Sequence, residues 1–337
     1  MKSLIISIIM FLFLILIHEF GHFIIAKKSG IKVNEFAIGM GPKIYSKKNG
    51  ETLYSINLFP IGGYCAMEGE DDESQDERSF DKAPAYKRFF TILAGPLINL
   101  IFAGLIFSVV VFNTGVASTR IGDFTENSPI KNQGLKVEDQ IVEIAGKDIK
   151  KFDDISKNLQ VYYDSHSKDD KIPVTFKRDG KKIEKNIKPR FEEGKAIFGF
   201  IPKNEKVGLI KSIGVGFKDV VSMIGLIFSV LKSLFTGKLG FSSLSGPVGV
   251  VKEMGRQADI GMMNLLFFLG YISVNLGFFN LLPIPALDGS KIFTSLFEMI
   301  TKKKINKKIE ERATIGGFIF LLGLIIIVTI KDLINLF

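Results

Sequence analysis

The stretch LIISIIMFLFLILIHEFGHFIIA, residues 4–26, decides the fold class, because it is an apolar run long enough to cross a membrane. A helix rises about 1.5 Å per residue, so about 20 residues cover the roughly 30 Å of hydrocarbon in a bilayer. The polar exceptions are Ser7 and, near the end of the run, His18, Glu19 and His22. No small-x-small cleavage site follows, so we predict a retained spanning helix rather than a signal peptide.

Three further apolar runs predict additional spans at residues 89–112, 260–287 and 313–332. The fold class expected from them is a polytopic α-helical membrane protein with about four transmembrane helices. Its N-terminal membrane half is residues 1–112, and its C-terminal membrane half is residues 260–337. Between the halves, residues 203–259 form a predicted linker. The apolar stretch 220–231 in that linker is too short to span and predicts an interfacial helix, with a buried helix as the alternative.

Composition agrees with a membrane protein and excludes several other classes. Of the 337 residues 47% are hydrophobic, and the net charge is +9. In a chain with long apolar runs, we expect this basic excess beside a lipid bilayer rather than on nucleic acid. Cys65 is the single cysteine, which rules out an intramolecular disulfide and argues against a cysteine-built metal site.

Basic residues are concentrated in two of the connecting segments, residues 27–88 and 288–312. The positive-inside rule therefore predicts that both segments are cytoplasmic, and that residues 113–259 and both termini are outside. On this prediction, residues 288–312 form a basic cytoplasmic loop.

Two segments between the spans have β patterns. Residues 116–202 contain short alternating runs, and residues 128–141 resemble the PDZ signature, so we predict one inserted extracytoplasmic PDZ domain there. Residues 33–67 predict a cytoplasmic β element around an Asn49-Gly50 turn. Residues 68–81 are mostly acidic and polar, which predicts a solvated loop.

The sequence His18-Glu19-Phe20-Gly21-His22 is the strongest chemical signal in the chain. Side chains four residues apart share one helix face, so both imidazoles can bind one metal ion. Glu19 can then serve as the general base that deprotonates a metal-activated water. Inserting a charged side chain at the centre of a membrane costs about 2–3 kcal/mol of free energy, so a functional role is expected for these three residues. The alternative is a polar helix end that reaches the interface.

A catalytic zinc site usually has three protein ligands, so a third is expected elsewhere. His166 is the only other histidine, but it lies in a polar external segment and we expect it to be solvated. Asp288 is the better candidate, because the first and third spans run in the same direction and place it at the depth of the histidines. Pro283 and Pro285 precede it and predict local unwinding that lets a loop direct the carboxylate inward.

These features resemble the site-2 protease family of intramembrane zinc metalloproteases, in the bacterial branch typified by the regulator of sigma-E protease. The resemblance rests on the histidine motif, the later Asn-x-x-Pro-x-Pro-x-x-Asp-Gly, the PDZ signature, and the segments at residues 95–99 and 245–249. It implies zinc ligation by His18, His22 and Asp288, catalysis by Glu19, and substrate positioning by Asn280. For Asn280 the alternative is a hydrogen bond between helices. It also implies that the β element, around residues 39–42, associates with the membrane.

The sequence departs from this family at a few positions. Ser290 and Lys291 stand where relatives often have Gly-His, and Met40 stands where Phe is common. The chain also has length for one PDZ domain, whereas many relatives have two. The differences at Ser290, Lys291 and Met40 concern substrate preference, because none of them falls on a proposed ligand.

We therefore expect an intramembrane zinc metalloendopeptidase in a bacterial cell membrane, with its active site toward the cytoplasm. The expected partners are the lipid bilayer and membrane-spanning substrates such as anti-sigma factors or signal-peptide remnants, and no nucleic acid. Two other functions are possible, a metal transporter and a catalytically silent PDZ scaffold. A transporter has little use for a Glu beside the first His. Iron also suits two histidines and a carboxylate, although water activation beside a Glu favours zinc.

Overall fold

A computed structural model describes residues 2–70, 74–192, 194–240 and 245–334. The helices are α1 (Lys2–Lys28), α2 (Ala85–Thr114), α3 (Phe152–Tyr163), α4 (Leu209–Phe235), α5 (Pro247–Ile260), α6 (Met262–Leu281), α7 (Asp288–Thr301) and α8 (Lys307–Ile334). The strands are β1 (Val33–Asn49), β2 (Thr52–Met67), β3 (Val116–Phe124), β4 (Gln140–Ile144), β5 (Lys147–Asp148), β6 (Ile172–Arg178), β7 (Lys181–Ile187), β8 (Arg190–Glu192), β9 (Lys195–Ile197) and β10 (Phe200–Glu205).

The chain forms two compact units. Unit 1 comprises Met1–Val110 and Ile213–Phe337, and unit 2 comprises Val111–Ser212. Within the described residues, five helices are long and apolar enough to cross a membrane, namely α1, α2, α4, α6 and α8. The protein is therefore a multi-pass membrane protein.

Helix α4 differs from the sequence prediction. We expected a short interfacial helix at residues 220–231, but α4 extends over 27 residues from Leu209 to Phe235. The prediction was wrong in length because Lys218, Asp219 and Lys232 interrupt the apolar run without interrupting the helix. By length and composition α4 joins the four predicted spans as a fifth candidate.

Small residues allow the helices of unit 1 to approach closely. A Cβ atom on Gly21 of α1 would meet the carbonyl oxygen of Ala94 in α2 at 2.5 Å. A Cβ on Gly277 of α6 would meet the carbonyl oxygen of Pro96 in α2 at 2.8 Å. In a membrane, van der Waals contact between backbones at small residues is a main source of helix association. These glycines allow α1 and α6 to pack closely against α2.

Strands β1 and β2 are long and bent, and together they form the β element of unit 1. Asn49 pairs with Thr52 across the tight turn at Gly50, which has a φ of 63° and therefore suits glycine. Residues 35–38 of β1 have partners on both sides, at residues 53–56 and at residues 63–66 of β2. Residues 63–66 thus form an edge of this sheet.

The third predicted span, 260–287, contains helix α6, which is shorter than the apolar run, and a non-helical end of the kind that its two prolines predict. Helix α6 ends at Leu281, and residues 282–287 are non-helical because Pro283 and Pro285 cannot donate backbone hydrogen bonds.

The segment 288–312, predicted as a basic loop, is largely helical, because α7 and the start of α8 fall within it. The acidic segment at residues 68–81 contacts the residues before β1, because Asp76 forms an ion pair of 3.0 Å with Lys32.

Unit 2 is built on a six-stranded sheet with the order β10-β3-β4-β6-β7, to which β5 is attached through β4. Alternate residues of β6, Ile172, Val174 and Phe176, are fully buried in its core. The segment that resembles the PDZ signature contains Gly134, whose φ of 89° closes a short 3₁₀ turn. The PDZ assignment itself stays a prediction.

Candidate metal centre

Helix α1 presents its two histidines on a buried stripe. Apart from the adjacent pair Gly21 and His22, its buried residues recur every three or four positions, which is the spacing of one helix face: Ser7, Met10, Leu14, His18, Gly21, His22 and Ala26. His18 is 7% exposed and His22 is 5% exposed. Their Nε2 atoms are 3.2 Å apart, so the two rings converge on one point inside unit 1.

Helix α2 orients His22 without contributing a ligand. The Nδ1 atom of His22 lies 2.9 Å from the carbonyl oxygen of Thr91, so an Nδ1–H donates to that oxygen and leaves the Nε2 lone pair free. A Cβ atom on Gly95 would overlap the His22 imidazole. The helix turn around Gly95 and Pro96 therefore leaves space for this ring that no other residue type at position 95 would leave.

Asn99 of α2 performs the corresponding role for His18. The side-chain amide of Asn99 lies 3.2 Å from Nδ1 of His18, and the backbone carbonyl oxygen of Asn99 accepts a hydrogen bond of 2.8 Å from the Ser273 hydroxyl of α6. The Asn99 amide has an oxygen and a nitrogen of similar shape, and its Oδ1 has no partner among the described residues. With Oδ1 turned toward His18, it accepts the Nδ1–H and leaves Nε2 of His18 free.

Asp288 is the first residue of α7, and its carboxylate lies against the two histidines. Its Oδ2 lies 2.9 Å from Nε2 of His18 and 3.4 Å from Nε2 of His22. The turn before α7 is tight, because a Cβ atom on Gly289 would overlap the carbonyl group of Leu282. Gly289 therefore allows the unwound segment to fold back and direct Asp288 inward.

The three ligand atoms fit a zinc ion. A tetrahedral zinc with ligands at about 2.0–2.1 Å has neighbouring ligand atoms about 3.3 Å apart, close to the observed separations of 2.9–3.4 Å. With both Nδ1 atoms protonated, two lone pairs and a carboxylate oxygen face one another with no proton between them. Asp288 Oδ2 is accordingly buried without a hydrogen-bond donor among the described residues. A cation at this point satisfies all three atoms.

Glu19 lies beside this group and is held by the β element. Its Oε2 accepts a hydrogen bond of 3.0 Å from the backbone N–H of Cys65 in β2. The carboxylate is also close enough to interact electrostatically with His22, His18 and Asp288. A carboxylate that does not ligate the metal but stands next to it is suited to proton transfer.

The other two residues weighed from the sequence are not members of this group. Asn280 is half-buried near the end of α6, and no described residue makes a hydrogen bond with its side chain. His166 belongs to unit 2, where it is exposed and stacks on Tyr162 with ring centroids 3.9 Å apart. In the described part of the chain, His18, His22 and Asp288 are the residues grouped closely enough to hold a metal ion.

The comparisons with known proteins agree with this geometry. The model of peptidase family M50 matches residues 6–324. The chain belongs to peptidase family M50. Proteins named as zinc metalloproteases are similar to this M50 chain over almost its whole length. One from Clostridium acetobutylicum is 38% identical, with 98% of this chain and 97% of the relative aligned. One from Clostridium perfringens is 37% identical with 98% of each aligned, and one from Fusobacterium nucleatum is 34% identical with 99% of each aligned.

This M50 protein is thus a zinc metalloprotease embedded in a membrane, and its sequence resemblance to the site-2 protease family is confirmed. The sequence did not reveal the parts played by Thr91 and Gly95. The spacing of Thr91, Gly95 and Asn99 could have indicated these roles, because residues four apart share one face of α2.

Proposed function

We propose that this protein hydrolyses peptide bonds within or beside the transmembrane segments of other membrane proteins, with zinc held by His18, His22 and Asp288. The supporting observation is the convergence of three buried ligand atoms, separated by 2.9–3.4 Å, partway along an apolar helix. A site at this position lies where membrane-spanning substrates are found.

Zinc supplies Lewis acidity in such a site, which acidifies water and polarises a peptide carbonyl. Glu19 accepts the proton of the attacking water and delivers it to the amine that leaves. The bond from the Cys65 N–H holds the Glu19 carboxylate in place for this transfer. Thr91 and Asn99 keep both imidazoles in the tautomer that exposes Nε2.

A peptide bond in a helix is protected by its own hydrogen bonds, so the substrate must unwind before cleavage. We propose that the unwound segment pairs with the edge of the β element at residues 63–66, beside Glu19. Strand addition replaces the lost hydrogen bonds, which matters because each unpaired backbone group in lipid costs several kcal/mol. Asn280 is a further candidate for holding the extended substrate, because its amide has no partner among the described residues.

By the resemblance to bacterial site-2 proteases, we propose anti-sigma factors or signal-peptide remnants as the substrates, and a bacterial cell membrane with the site toward the cytoplasm. We also propose that unit 2 is a PDZ domain outside the cell that restricts entry to substrates already trimmed. Deleting residues 116–202 then admits untrimmed substrates. A deletion variant that still rejects them contradicts this role of unit 2.

The reaction is tested with a tagged single-span substrate co-reconstituted with the wild type or with Glu19→Gln. We expect the wild type to cleave near or inside the span, and the variant to lose more than about a thousandfold in rate while it retains zinc. Glu253→Gln, a charge-matched change at a residue paired with Arg256 in α5, serves as the control and retains cleavage. Cleavage by Glu19→Gln at the wild-type rate contradicts the mechanism.

A further inference from the structure

Helix α7 carries an apolar stripe that no part of the described chain covers. Phe293 is 50% exposed, Phe297 is 46% exposed and Ile300 is 73% exposed, and Leu296 is exposed beside them. These positions follow the i, i+3, i+4, i+7 spacing of one helix face. The stripe is therefore a continuous surface and not a set of scattered side chains.

The charged groups of α7 point the other way, toward the protein. Lys291 pairs with Glu70 at 2.9 Å, and Glu298 pairs with the guanidinium of Arg88 in α2. Both Glu298 and Arg88 are largely buried. A helix in water has the opposite arrangement, with charges outside and apolar groups inside. Charges inside and apolar groups outside are typical of a helix that faces lipid.

The length of α7 limits how it contacts a bilayer. Its 14 residues measure about 21 Å, less than the roughly 30 Å of the hydrocarbon layer. A helix of this length with one apolar face lies in the interface, with that face among the acyl chains.

The residues after α7 add positive charge at the same place. Lys302 ends the helix in a left-handed conformation with φ of 59°, and α8 begins at Lys307. Five lysines fall within seven positions, and all of them are exposed: Lys302, Lys303, Lys304, Lys307 and Lys308. Among the described residues none of these five forms an ion pair. A basic cluster beside a membrane-spanning helix attracts anionic phospholipid headgroups.

We propose that the stripe Phe293, Leu296, Phe297 and Ile300 is inserted among lipid acyl chains, and that the lysines at 302–308 bind anionic phospholipid headgroups. Because α7 begins at Asp288, this lipid contact anchors the helix that carries the candidate metal-binding carboxylate. The inference goes beyond the proposed proteolysis, and its test requires no activity.

The first experiment uses the absence of tryptophan from the chain. Phe297→Trp, reconstituted in phosphatidylcholine vesicles, gives a single fluorophore on the stripe, and Phe293→Trp reports the same face independently. We expect lipids brominated on the acyl chain to quench either probe by about half or more. Phe320→Trp on the exposed face of α8 is the positive control, and Val161→Trp on the exposed surface of α3 in unit 2 is the negative control. If Phe320→Trp is quenched and both stripe probes are not, the stripe is covered by water or by protein, and the proposal is wrong.

The second experiment tests the lysines in the Phe297→Trp background. Brominated phosphatidylglycerol and brominated phosphatidylcholine are compared at the same low mole fraction in unlabelled phosphatidylcholine. We expect the anionic lipid to associate about threefold more strongly, and replacement of the five lysines by Gln to remove this preference. A matched set of five exposed unit 2 lysines, also replaced by Gln, leaves the preference intact: Lys147, Lys150, Lys157, Lys181 and Lys182. Equal quenching by both lipids in the unsubstituted segment, or an unchanged preference in the five-Gln variant, overturns the role of these lysines.

Discussion

The Nδ1 atom of His22 lies 2.9 Å from the backbone carbonyl oxygen of Thr91, so helix α2 fixes the tautomer of a histidine on helix α1. The bond leaves Nε2 of His22 facing His18 and Asp288. Helix α2 thus shapes the candidate metal centre although it provides none of the three ligand atoms. Changes in α2 are therefore expected to affect zinc binding.

Replacing Gly95 with Ala should disturb the metal centre directly. The new Cβ would overlap the His22 ring, which must then move from its position next to His18. We expect zinc affinity to fall by about 10- to 100-fold, as is usual when a metal ligand loses its support, and cleavage to fall with it. Zinc affinity is measured by competition with a chelator of known strength.

Gly323→Ala is the matched control for this change. Gly323 also lies in an apolar helix, but a Cβ there meets nothing within 4 Å. We expect zinc binding by Gly323→Ala to equal that of the wild type. If Gly95→Ala also binds zinc normally, the close approach of α2 to His22 is not a requirement of the site.

The Asn99 side chain should affect zinc affinity, because it orients the imidazole of His18. Asn99→Leu removes the acceptor for the Nδ1–H of His18, and we expect a loss of about 10- to 100-fold in zinc affinity. Asn99→Asp keeps an acceptor oxygen at that place and should retain zinc. Equal zinc affinity in Asn99→Leu and the wild type would show that the Asn99 side chain does not orient His18, and that only its backbone carbonyl, which accepts from Ser273, links α2 to α6.

The sequence predicted most reliably those parts of the site that depend on a short local pattern. The pair His18 and His22 was evident from helix periodicity, and parallel spans placed Asp288 near them, where the structure also has it. Their role as zinc ligands stays a prediction. Gly95 was missed because its importance depends on packing between two helices, which a single sequence does not display.

Charged residues were the main reason why the predicted helix boundaries were wrong. Counting Asp219 and Lys232 as boundaries made the predicted helix too short, although the backbone hydrogen bonds of α4 continue through these charged residues. Counting the basic residues of 288–312 as a loop hid α7. The spacing of Phe293, Phe297 and Ile300 contained the signal for that helix.

Zinc should stabilise the folded protein by mass action. A ligand present at about 1,000 times its Kd adds about 4 kcal/mol to the free energy of unfolding. Cys65 is the single cysteine and is 7% exposed, so a thiol-reactive dye reports unfolding. We expect added zinc to raise the unfolding temperature of chelator-treated wild type and Glu19→Gln.

Asp288→Asn should lose this zinc-dependent stabilisation, because a neutral amide is a poor zinc ligand. Asp332→Asn is its control, since Asp332 is also buried but accepts a bond from the Gly249 N–H in α5. We expect zinc to stabilise Asp332→Asn as it does the wild type. Stabilisation of Asp288→Asn to the same extent would place the metal elsewhere.

The backbone of Cys65 offers a test of the sheet edge. Cys65→Pro removes the N–H that donates to the Glu19 carboxylate, and it places a proline ring on the sheet edge that obstructs strand addition at this position. We expect cleavage to be lost while zinc remains bound, whereas Cys65→Ala, which keeps the N–H, retains both. Normal cleavage by Cys65→Pro would exclude this edge from the reaction.

The central claim is that two histidines and a carboxylate hold one zinc ion. Zinc K-edge absorption spectroscopy on the purified protein, with metal and protein quantified in the same sample, tests it most directly. We expect one zinc per chain, bound by nitrogen and oxygen at about 2.0–2.2 Å with the scattering of two imidazoles. The same spectrum is expected from Glu19→Gln. Sulfur at about 2.3 Å, a single imidazole, or no zinc at all would contradict the account.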